Sequence, residues 1–198
     1  MAESFSLNSL DITLPKRKDN SHKGFYGRVA VIAGSKGMGG AGILASEASL
    51  FCGSGLVNLF THISNVQASL ERNPEVMAIG IESHKNISGN FDIGLIGPGF
   101  KDDDWSKEVY RYITLNYSGV LIIDAGALRL LEKKQVYDKK ELILTPHPGE
   151  AGALLNISTD EIQQNRKECA KAIANKYDAA AVVLKGYNTL VHIKDEDK

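Results

Sequence analysis

The 198-residue sequence has few of the residues that mark several common protein classes. Its two cysteines, Cys52 and Cys169, form no Cys-x-x-Cys pair and have no histidine at a spacing suited to zinc. We therefore expect two reduced, buried thiols in a cytoplasmic protein, and no metal site. The formal net charge is −1, so no basic surface for nucleic acid or for an anionic membrane is expected. No stretch approaches the roughly 18 apolar residues of a membrane span, and the polar first 27 residues lack the apolar centre of a secretory signal.

Glycine, by contrast, is concentrated in one region. Arg28–Ala33 is a short apolar run rich in valine, which predicts a buried strand. Between this strand and a helical pattern over Ile43–Cys52 stand Gly37, Gly39, Gly40 and Gly42. A backbone without side chains can approach a ligand closely, and the unpaired amides at the start of a helix suit a phosphate or a carboxylate.

Two known phosphate motifs can be tested on this loop. Gly37–Gly42 matches G-x-G-x-x-G, but the dinucleotide fingerprint also needs an acidic residue at the end of the next strand. Here that strand, Leu56–Phe60, is followed by Thr61 and His62. The Walker pattern is absent, because Gly39 is followed by glycine and not by lysine. Two interpretations stay open: an anion-binding loop, and a tight turn that packs closely without a ligand.

Strands and helices alternate along the rest of the chain. Further strands are predicted at Glu75–Ile81, Phe91–Ile96, Gly119–Ile123, Leu142–Leu144, Ala181–Leu184 and Thr189–Ile193. Helices are predicted at Val66–Glu71, Asp102–Leu115, around Leu128–Lys133, from Pro148, and at Thr159–Tyr177. This order predicts an α/β fold with a doubly wound, mostly parallel sheet and helices on both faces. Met1–Lys23 is predicted to be an arm whose Leu7, Leu10, Ile12 and Leu14 lie against the body or a neighbouring subunit, and residues 24–198 are one domain.

Ligands bind such sheets beyond the carboxyl ends of the strands, and five of these ends are unusual. They are Gly34–Gly42, Gly97–Gly99, Asp124–Gly126, Thr145–Glu150 and Lys185–Thr189. Three of their side chains each admit two interpretations. His147 binds a ligand or hydrogen-bonds its own turn; Lys185 contacts a phosphate or is merely solvated; and Asp124 holds a magnesium-bound water or caps the following helix.

Together and in this order, several segments between Lys23 and Ile193 resemble a known family, the ADP- or ATP-dependent NAD(P)H-hydrate dehydratases of the ribokinase-like superfamily. The segments are His22–Gly24 with Gly27–Val29, Gly39–Ala41, Gly53–Val57, Pro74–Met77, Ile96–Gly99, Ile123–Ala125, Leu144–Glu150, and Leu184–Gly186 with Thr189. Thr-Pro-His-Pro-Gly-Glu followed some forty residues later by Leu-Lys-Gly is the most specific combination.

The resemblance implies a ribokinase-like fold and a repair reaction. The substrate is NADH or NADPH hydrated at C6 of the nicotinamide ring, and the new hydroxyl is phosphorylated from ADP or ATP with Mg²⁺ and then eliminated. By matching position, Ala41, Gly99 and His147 contact the hydrated dinucleotide. Lys185, Gly186, Tyr187, Asn188 and Thr189 hold the phosphates of the donor. A homo-oligomer, often a tetramer, is also implied.

The sequence departs from the family pattern in three ways. The family's next element, a glycine-rich turn that ends in the catalytic aspartate, is not matched: the aspartates after Lys185 are Asp195 and Asp197, in a charged tail. We therefore expect the catalytic aspartate to lie beyond Lys198. We also expect the carboxyl-terminal part of the fold to be absent from this chain. Gly126 stands where aspartate is common, and Tyr187 and Asn188 replace small residues, so that Tyr187 is expected to narrow the nucleotide site.

Three functional hypotheses follow. The first is a dehydratase that lacks its carboxyl-terminal segment, and the second is a non-catalytic nucleotide-binding relative that ends near Lys198. The third, an oxidoreductase that uses Gly37–Gly42, is disfavoured by the missing ribose-binding acid.

Overall fold

The computed structural model describes residues 4–6, 8, 16–82, 87–131 and 141–194. Leu7, Leu10, Ile12 and Leu14 of the predicted arm, and Asp195 and Asp197 of the tail, lie outside these residues. The arm's contacts therefore stay a prediction. Within the described residues, no helix is long and apolar enough to cross a membrane.

Eight strands form one sheet. They are β1 (Arg28–Ile32), β2 (Leu56–His62), β3 (Met77–Ile81), β4 (Ile93–Ile96), β5 (Val120–Ile123), β6 (Leu142–Leu144), β7 (Ala181–Leu184) and β8 (Leu190–Ile193). Their order is β3-β2-β1-β4-β5-β6-β7-β8. Strands β1 to β7 are parallel, and β8 pairs antiparallel with β7. The predicted mostly parallel, doubly wound sheet is confirmed.

In the described part of the chain, six α-helices accompany the sheet. They are α1 (Gly39–Phe51), α2 (Val66–Arg72), α3 (Asp104–Asn116), α4 (Pro148–Leu155), α5 (Thr159–Gln164) and α6 (Arg166–Tyr177). Short 3-10 helices lie at Lys23–Phe25, Ile63–Asn65 and Ala125–Leu130. The last of these stands at the position of the helix predicted around Leu128–Lys133, and residues 132 and 133 lie outside the described part of the chain.

Two predictions from the sequence are wrong. The long helix Thr159–Tyr177 is two helices, because Asn165 leaves the helical conformation at φ −131° and ψ 44°. Cys52 is exposed and only Cys169 is buried. Cys52 directly follows the last turn of α1, where the chain turns at the surface toward β2.

The sheet buries its two faces unequally. A large apolar core lies under α3, α4 and α6 and includes Ile32, Ile96, Ile123 and Leu144. A smaller core lies on the other face around Val31, Val57 and Leu59, beside α1. On that second face Leu95, Ile122, Ile143, Ala181 and Ile193 form one row in register across β4 to β8. The first four are half-buried and Ile193 is 43% exposed, so the described helices cover this face only in part.

The direction in which successive strands are added to the sheet reverses between the parallel strands β1 and β4, and this reversal positions the candidate site. From β1 the connections lead outward to β2 and β3, and from β4 they lead outward in the opposite direction. The loops that follow β1 and β4 therefore separate at one edge of the sheet, which is where doubly wound folds bind ligands.

Close packing at this edge makes a glycine necessary at position 97. Gly97 has φ +117°, and a Cβ built there would lie 1.9 Å from the carbonyl oxygen of Asp124. We expect Gly97→Ala to lower the free energy of unfolding by on the order of 3 kcal/mol, through backbone strain and overpacking. Gly40→Ala is the matched control, because a Cβ on this exposed helical glycine meets no atom within 4 Å. Urea unfolding compares the two variants, and equal stabilities would contradict this account of position 97.

Tyr117 gives a second test of the packing. Its hydroxyl donates to the carbonyl of Phe91 at 3.3 Å, and burial, followed by the negative charge of Asp92, raises the pKa of Tyr117 from 10.0 to about 12. Because the folded state holds this proton more tightly, its stabilising effect is complete below pH 10 and is lost as the pH rises to about 12. An alkaline absorbance titration should show a tyrosinate transition near pH 12 that is missing from Tyr117→Phe. Identical titrations of the two proteins would contradict it.

Candidate functional site

The loops after five parallel strands meet at the carboxyl edge of the sheet. Backbone hydrogen bonds join the loop after β1 to the loop after β4: Gly34 N donates to Pro98 O at 2.9 Å, and Ser35 N donates to Gly99 O at 3.0 Å. At the other end, Lys185 N donates to Pro146 O at 2.9 Å and so joins the loops after β7 and β6. The five unusual strand ends therefore form one continuous rim.

The base of the glycine-rich loop is anchored by the buried side-chain amide of Asn65. Asn65 Nδ2 donates to Gly34 O at 2.8 Å and to Thr61 Oγ1 at 3.0 Å, and Thr61 Oγ1 donates to Gly34 O at 3.0 Å. The contacts of Asn65 and Thr61 with Gly34 O were not predicted from the sequence. Because the loop is anchored at its base, its tip and the start of α1 have a fixed position relative to the sheet.

The start of α1 is open to a ligand. The helix begins at Gly39, and its N-cap residue, Met38, makes no side-chain hydrogen bond to the helix amides. Unpaired amides at a helix start carry partial positive charge and bind anions. This geometry agrees with the anion-binding interpretation of the loop, although a ligand-free turn would have the same backbone.

Two predicted substrate-binding residues, Ala41 and Gly99, lie against each other. A Cβ built on Gly99 would lie 2.8 Å from Met38 O and 3.1 Å from Ala41 Cβ, and Gly99 has φ +70°. Any larger residue at position 99 would push the start of α1 away from β4. The two residues therefore mark the narrow part of the rim at the β1–β4 reversal.

His147 is the N-cap of α4. Its Nδ1 accepts hydrogen bonds from Gly149 N at 3.0 Å and Glu150 N at 3.3 Å, while Glu150 Oε2 accepts from His147 N at 2.8 Å. This is a capping box, with Pro148 in the first turn of the helix. The sequence-derived alternative in which His147 bonds its own turn is therefore observed. Because Nδ1 accepts two hydrogen bonds, the ring proton is on Nε2, which lies 3.4 Å from Glu150 Oε1. The side chain is still 55% exposed, so a ligand can reach the outer side of the imidazole.

Asp124 and Lys185 form an ion pair at the centre of the rim. Asp124 Oδ1 accepts from Lys185 Nζ at 2.6 Å and from Thr145 Oγ1 at 2.8 Å, and Glu150 Oε2 lies 3.8 Å from the same ammonium. Asp124 makes no side-chain hydrogen bond to the following 3-10 helix, so the capping alternative for this residue is wrong. Lys185 is not simply solvated either. The contacts of Thr145 with Asp124 and of Glu150 with Lys185 were not predictable from the sequence, because they depend on the pairing of β6 with β7.

The loop from Lys185 to Thr189 completes the rim. Gly186 and Asn188 both have positive φ, at 137° and 55°, and Thr189 Oγ1 donates to Gly186 O at 3.0 Å. Tyr187 is 94% exposed, so its ring does not narrow the site as the sequence predicted. Instead it projects from the tip of the loop.

A cavity of about 220 Å³ lies away from this rim. It is lined by residues such as Ala30, Gly94 and Tyr117, from β1, β4 and the end of α3. Because α3 starts near the carboxyl edge and returns to the amino edge, the cavity is at the opposite end of the sheet. None of its lining residues is charged, so it offers no phosphate site.

The sequence of this chain matches a known protein family. The family model described as NAD(P)H-hydrate dehydratase matches residues 29–197. An ADP-dependent (S)-NAD(P)H-hydrate dehydratase of Staphylococcus aureus is 36% identical over 97% of this chain and 70% of its own length. The bifunctional NAD(P)H-hydrate repair enzyme Nnr of Escherichia coli is 37% identical over 94% of this chain, which spans only 36% of that relative.

The fold agrees with these matches. The crystal structure of ADP/ATP-dependent NAD(P)H-hydrate dehydratase from Bacillus subtilis, co-crystallized with ATP/Mg²⁺, superposes with a TM-score of 0.81 at 29% identity. The superposition covers 92% of this chain and 66% of that one. On the family match, the sequence relatives and the shared sheet, the chain belongs to the NAD(P)H-hydrate dehydratase family.

Proposed function

We propose that this chain forms the substrate- and nucleotide-binding rim of an ADP- or ATP-dependent NAD(P)H-hydrate dehydratase. The observation that carries the proposal is the continuity of the rim, which runs from Ala41 and Gly99 through Asp124 to Lys185 and His147. A transfer of phosphate between two nucleotides requires adjacent sites for donor and acceptor on one surface. The names of the relatives support the choice of reaction.

The chemistry explains why a phosphoryl donor is needed. Hydroxide is a poor leaving group and phosphate is a good one, so phosphorylation of the C6 hydroxyl allows elimination and restores the dihydronicotinamide. The protein's part in such a transfer is mainly positioning and charge stabilisation. We assign those parts to the rim, and we assign no general base to it.

Each end of the rim receives one ligand in this proposal. The hydrated dinucleotide lies against Ala41 and Gly99, with the exposed edge of His147 as a hydrogen-bond partner. The donor phosphates lie on Lys185, Gly186, Tyr187, Asn188 and Thr189. Lys185 suits this position, because its ammonium is a compact positive charge already held at the rim by Asp124.

The residues also fit the Mg²⁺ that accompanies the donor. Asp124 and Glu150 lie 2.6 Å and 3.8 Å from Lys185 Nζ, so two carboxylates stand beside the lysine assigned to the donor phosphates. Magnesium in nucleotide sites is typically held by one or two carboxylates with phosphates and waters. Asp124 and Glu150 are the residues that would hold the ion. The ion would neutralise phosphate charge there.

We also propose a cytoplasmic location and a homo-oligomeric assembly, for which the family resemblance suggests a tetramer.

The first experiment measures binding and turnover together. Purified chain is titrated with ADP, with ATP and with hydrated NADH, and recovery of the dihydronicotinamide absorbance is followed in the mixture. We expect measurable binding of the hydrated dinucleotide and of a donor nucleotide, with little or no turnover. Failure to bind hydrated NADH alongside normal nucleotide binding would favour the non-catalytic relative, and hydride transfer with intact NAD would favour the oxidoreductase.

Substitutions of a donor-binding residue and of a substrate-binding residue should separate the two ligands. We expect Lys185→Met to weaken ADP or ATP about tenfold by removing a charged contact, and to change the affinity for hydrated NADH much less. His147→Ser should do the reverse, because serine keeps the cap of α4 and removes the imidazole edge. His147→Ala serves as its control, since it loses the cap as well and should cost about 1 kcal/mol of stability. Equal losses of affinity for both ligands in Lys185→Met or in His147→Ser would contradict the assignment of Lys185 to the donor and of His147 to the dinucleotide.

A further inference from the structure

The segment Lys185–Thr189, here called the nucleotide loop, has Arg166 behind it. Arg166 takes this position because the helix predicted over Thr159–Tyr177 is broken. Asn165 interrupts the helix, and Arg166 becomes the first residue of α6. From there its side chain reaches the end of β7, 18 residues further along the chain. An uninterrupted helix would direct the first turn of α6 elsewhere, so the break and this contact belong together.

The guanidinium binds the main chain of the loop at several points. Arg166 Nη2 donates to Leu184 O at 2.8 Å and lies 3.3 Å from Lys185 O and 3.4 Å from Asn188 O. Nη1 donates to Gln163 Oε1 at 3.0 Å, which fixes the plane of the group. A Cβ built on Gly186 would lie 3.4 Å from Nη1, so the loop backs directly onto the guanidinium.

These contacts select one conformation of the loop. Gly186 and Asn188 have positive φ, a conformation that a free five-residue loop adopts only as one of many. Arg166 joins the carbonyls of Lys185 and Asn188 across the loop, and so holds its two ends together. Among the described residues, the amides of Gly186, Tyr187 and Asn188 have no hydrogen-bond partner. Bound carbonyls and unpaired amides are the arrangement that receives an anion.

We infer that Arg166 is the positioning residue of the nucleotide loop: it holds the carbonyls of Leu184, Lys185 and Asn188 so that the loop amides are ready for the donor phosphates. The inference rests on the proposed function for the identity of the anion. We place Arg166 behind the loop and out of contact with the donor, because its Nη2 is directed at the loop carbonyls and its Nη1 donates to Gln163 Oε1. Its effect on binding therefore comes from pre-organisation, which lowers the entropy lost when a ligand orders a loop.

The test uses Arg166→Gln, with Lys167→Gln as the matched control. Lys167 is the exposed neighbour on the same helix and carries the same charge. For Arg166→Gln we expect about tenfold weaker ADP binding and, without nucleotide, faster hydrogen exchange of the Lys185 amide, which donates to Pro146 O at the base of the loop. The affinity for hydrated NADH should stay within about twofold, and Lys167→Gln should match the wild type in all three measurements. Arg166→Lys, which keeps the charge and some donor capacity, should give intermediate values and replaces the glutamine variant if that one fails to fold.

The outcomes separate the two proposals. Unchanged ADP affinity in Arg166→Gln, when Lys185→Met weakens ADP, would overturn the role of Arg166 and leave the proposed function standing. Equal weakening of both ligands would also overturn it, because that result indicates a general loss of structure. If the wild-type chain binds neither ADP nor ATP, the proposed function fails, and so does this inference. Unchanged hydrogen exchange of the Lys185 amide would overturn it whatever the nucleotide result.

Discussion

The ion pair between Lys185 and Asp124 joins the ends of two strands whose residues are 61 positions apart in the chain. Strand β6 lies between those strands, and its own end supplies Thr145 to the same carboxylate. The pair therefore forms only when β5, β6 and β7 are in their native order and register. It is also half-exposed at the rim, so its main effect is to place an ammonium rather than to stabilise the whole fold.

The same edge combines crowding at one end with accessibility at the other. Around Gly97 and Gly99 the main chains approach so closely that a single added carbon would collide with a neighbour. Around Lys185 the rim is open, and the side chain of this lysine stays 40% exposed. A flat ring can be confined between backbones at the crowded end while charged phosphates keep partial contact with water at the open end. This division agrees with a dinucleotide at one end and a phosphoryl donor at the other.

Short apolar runs in the sequence were enough to predict most strands of the sheet. β6 and β7 were placed at their observed boundaries because each is a short apolar run between polar or breaking residues. The long helix was wrong because Ile162, Cys169 and Ile173 continue an apolar pattern through Asn165, and the pattern does not register a backbone break. The partners of Asp124 were missed for a different reason. They depend on which strands become neighbours, and nothing near Asp124 in the sequence encodes that.

The residues of the site also divide into those that the sequence identifies and those that only the structure shows. Ala41, Gly99, His147 and Lys185 were found because they lie in motifs at strand ends, and the structure brings them to one rim. Arg166 and Asn65 were not found, because each acts on a backbone that is distant in sequence and neither belongs to a recognisable motif. Supporting residues of this kind have the signature of ordinary helix or loop positions.

The single tryptophan of the chain stands close to this rim. Trp105 donates its indole N–H to Ile81 O, and its ring centroid is 5.5 Å from that of Phe100 and 6.0 Å from that of His62. Phe100 directly follows Gly99, and His62 ends the strand beside the glycine-rich loop. The protein thus contains a native fluorophore next to the narrow end of the rim, available for following binding there without any label.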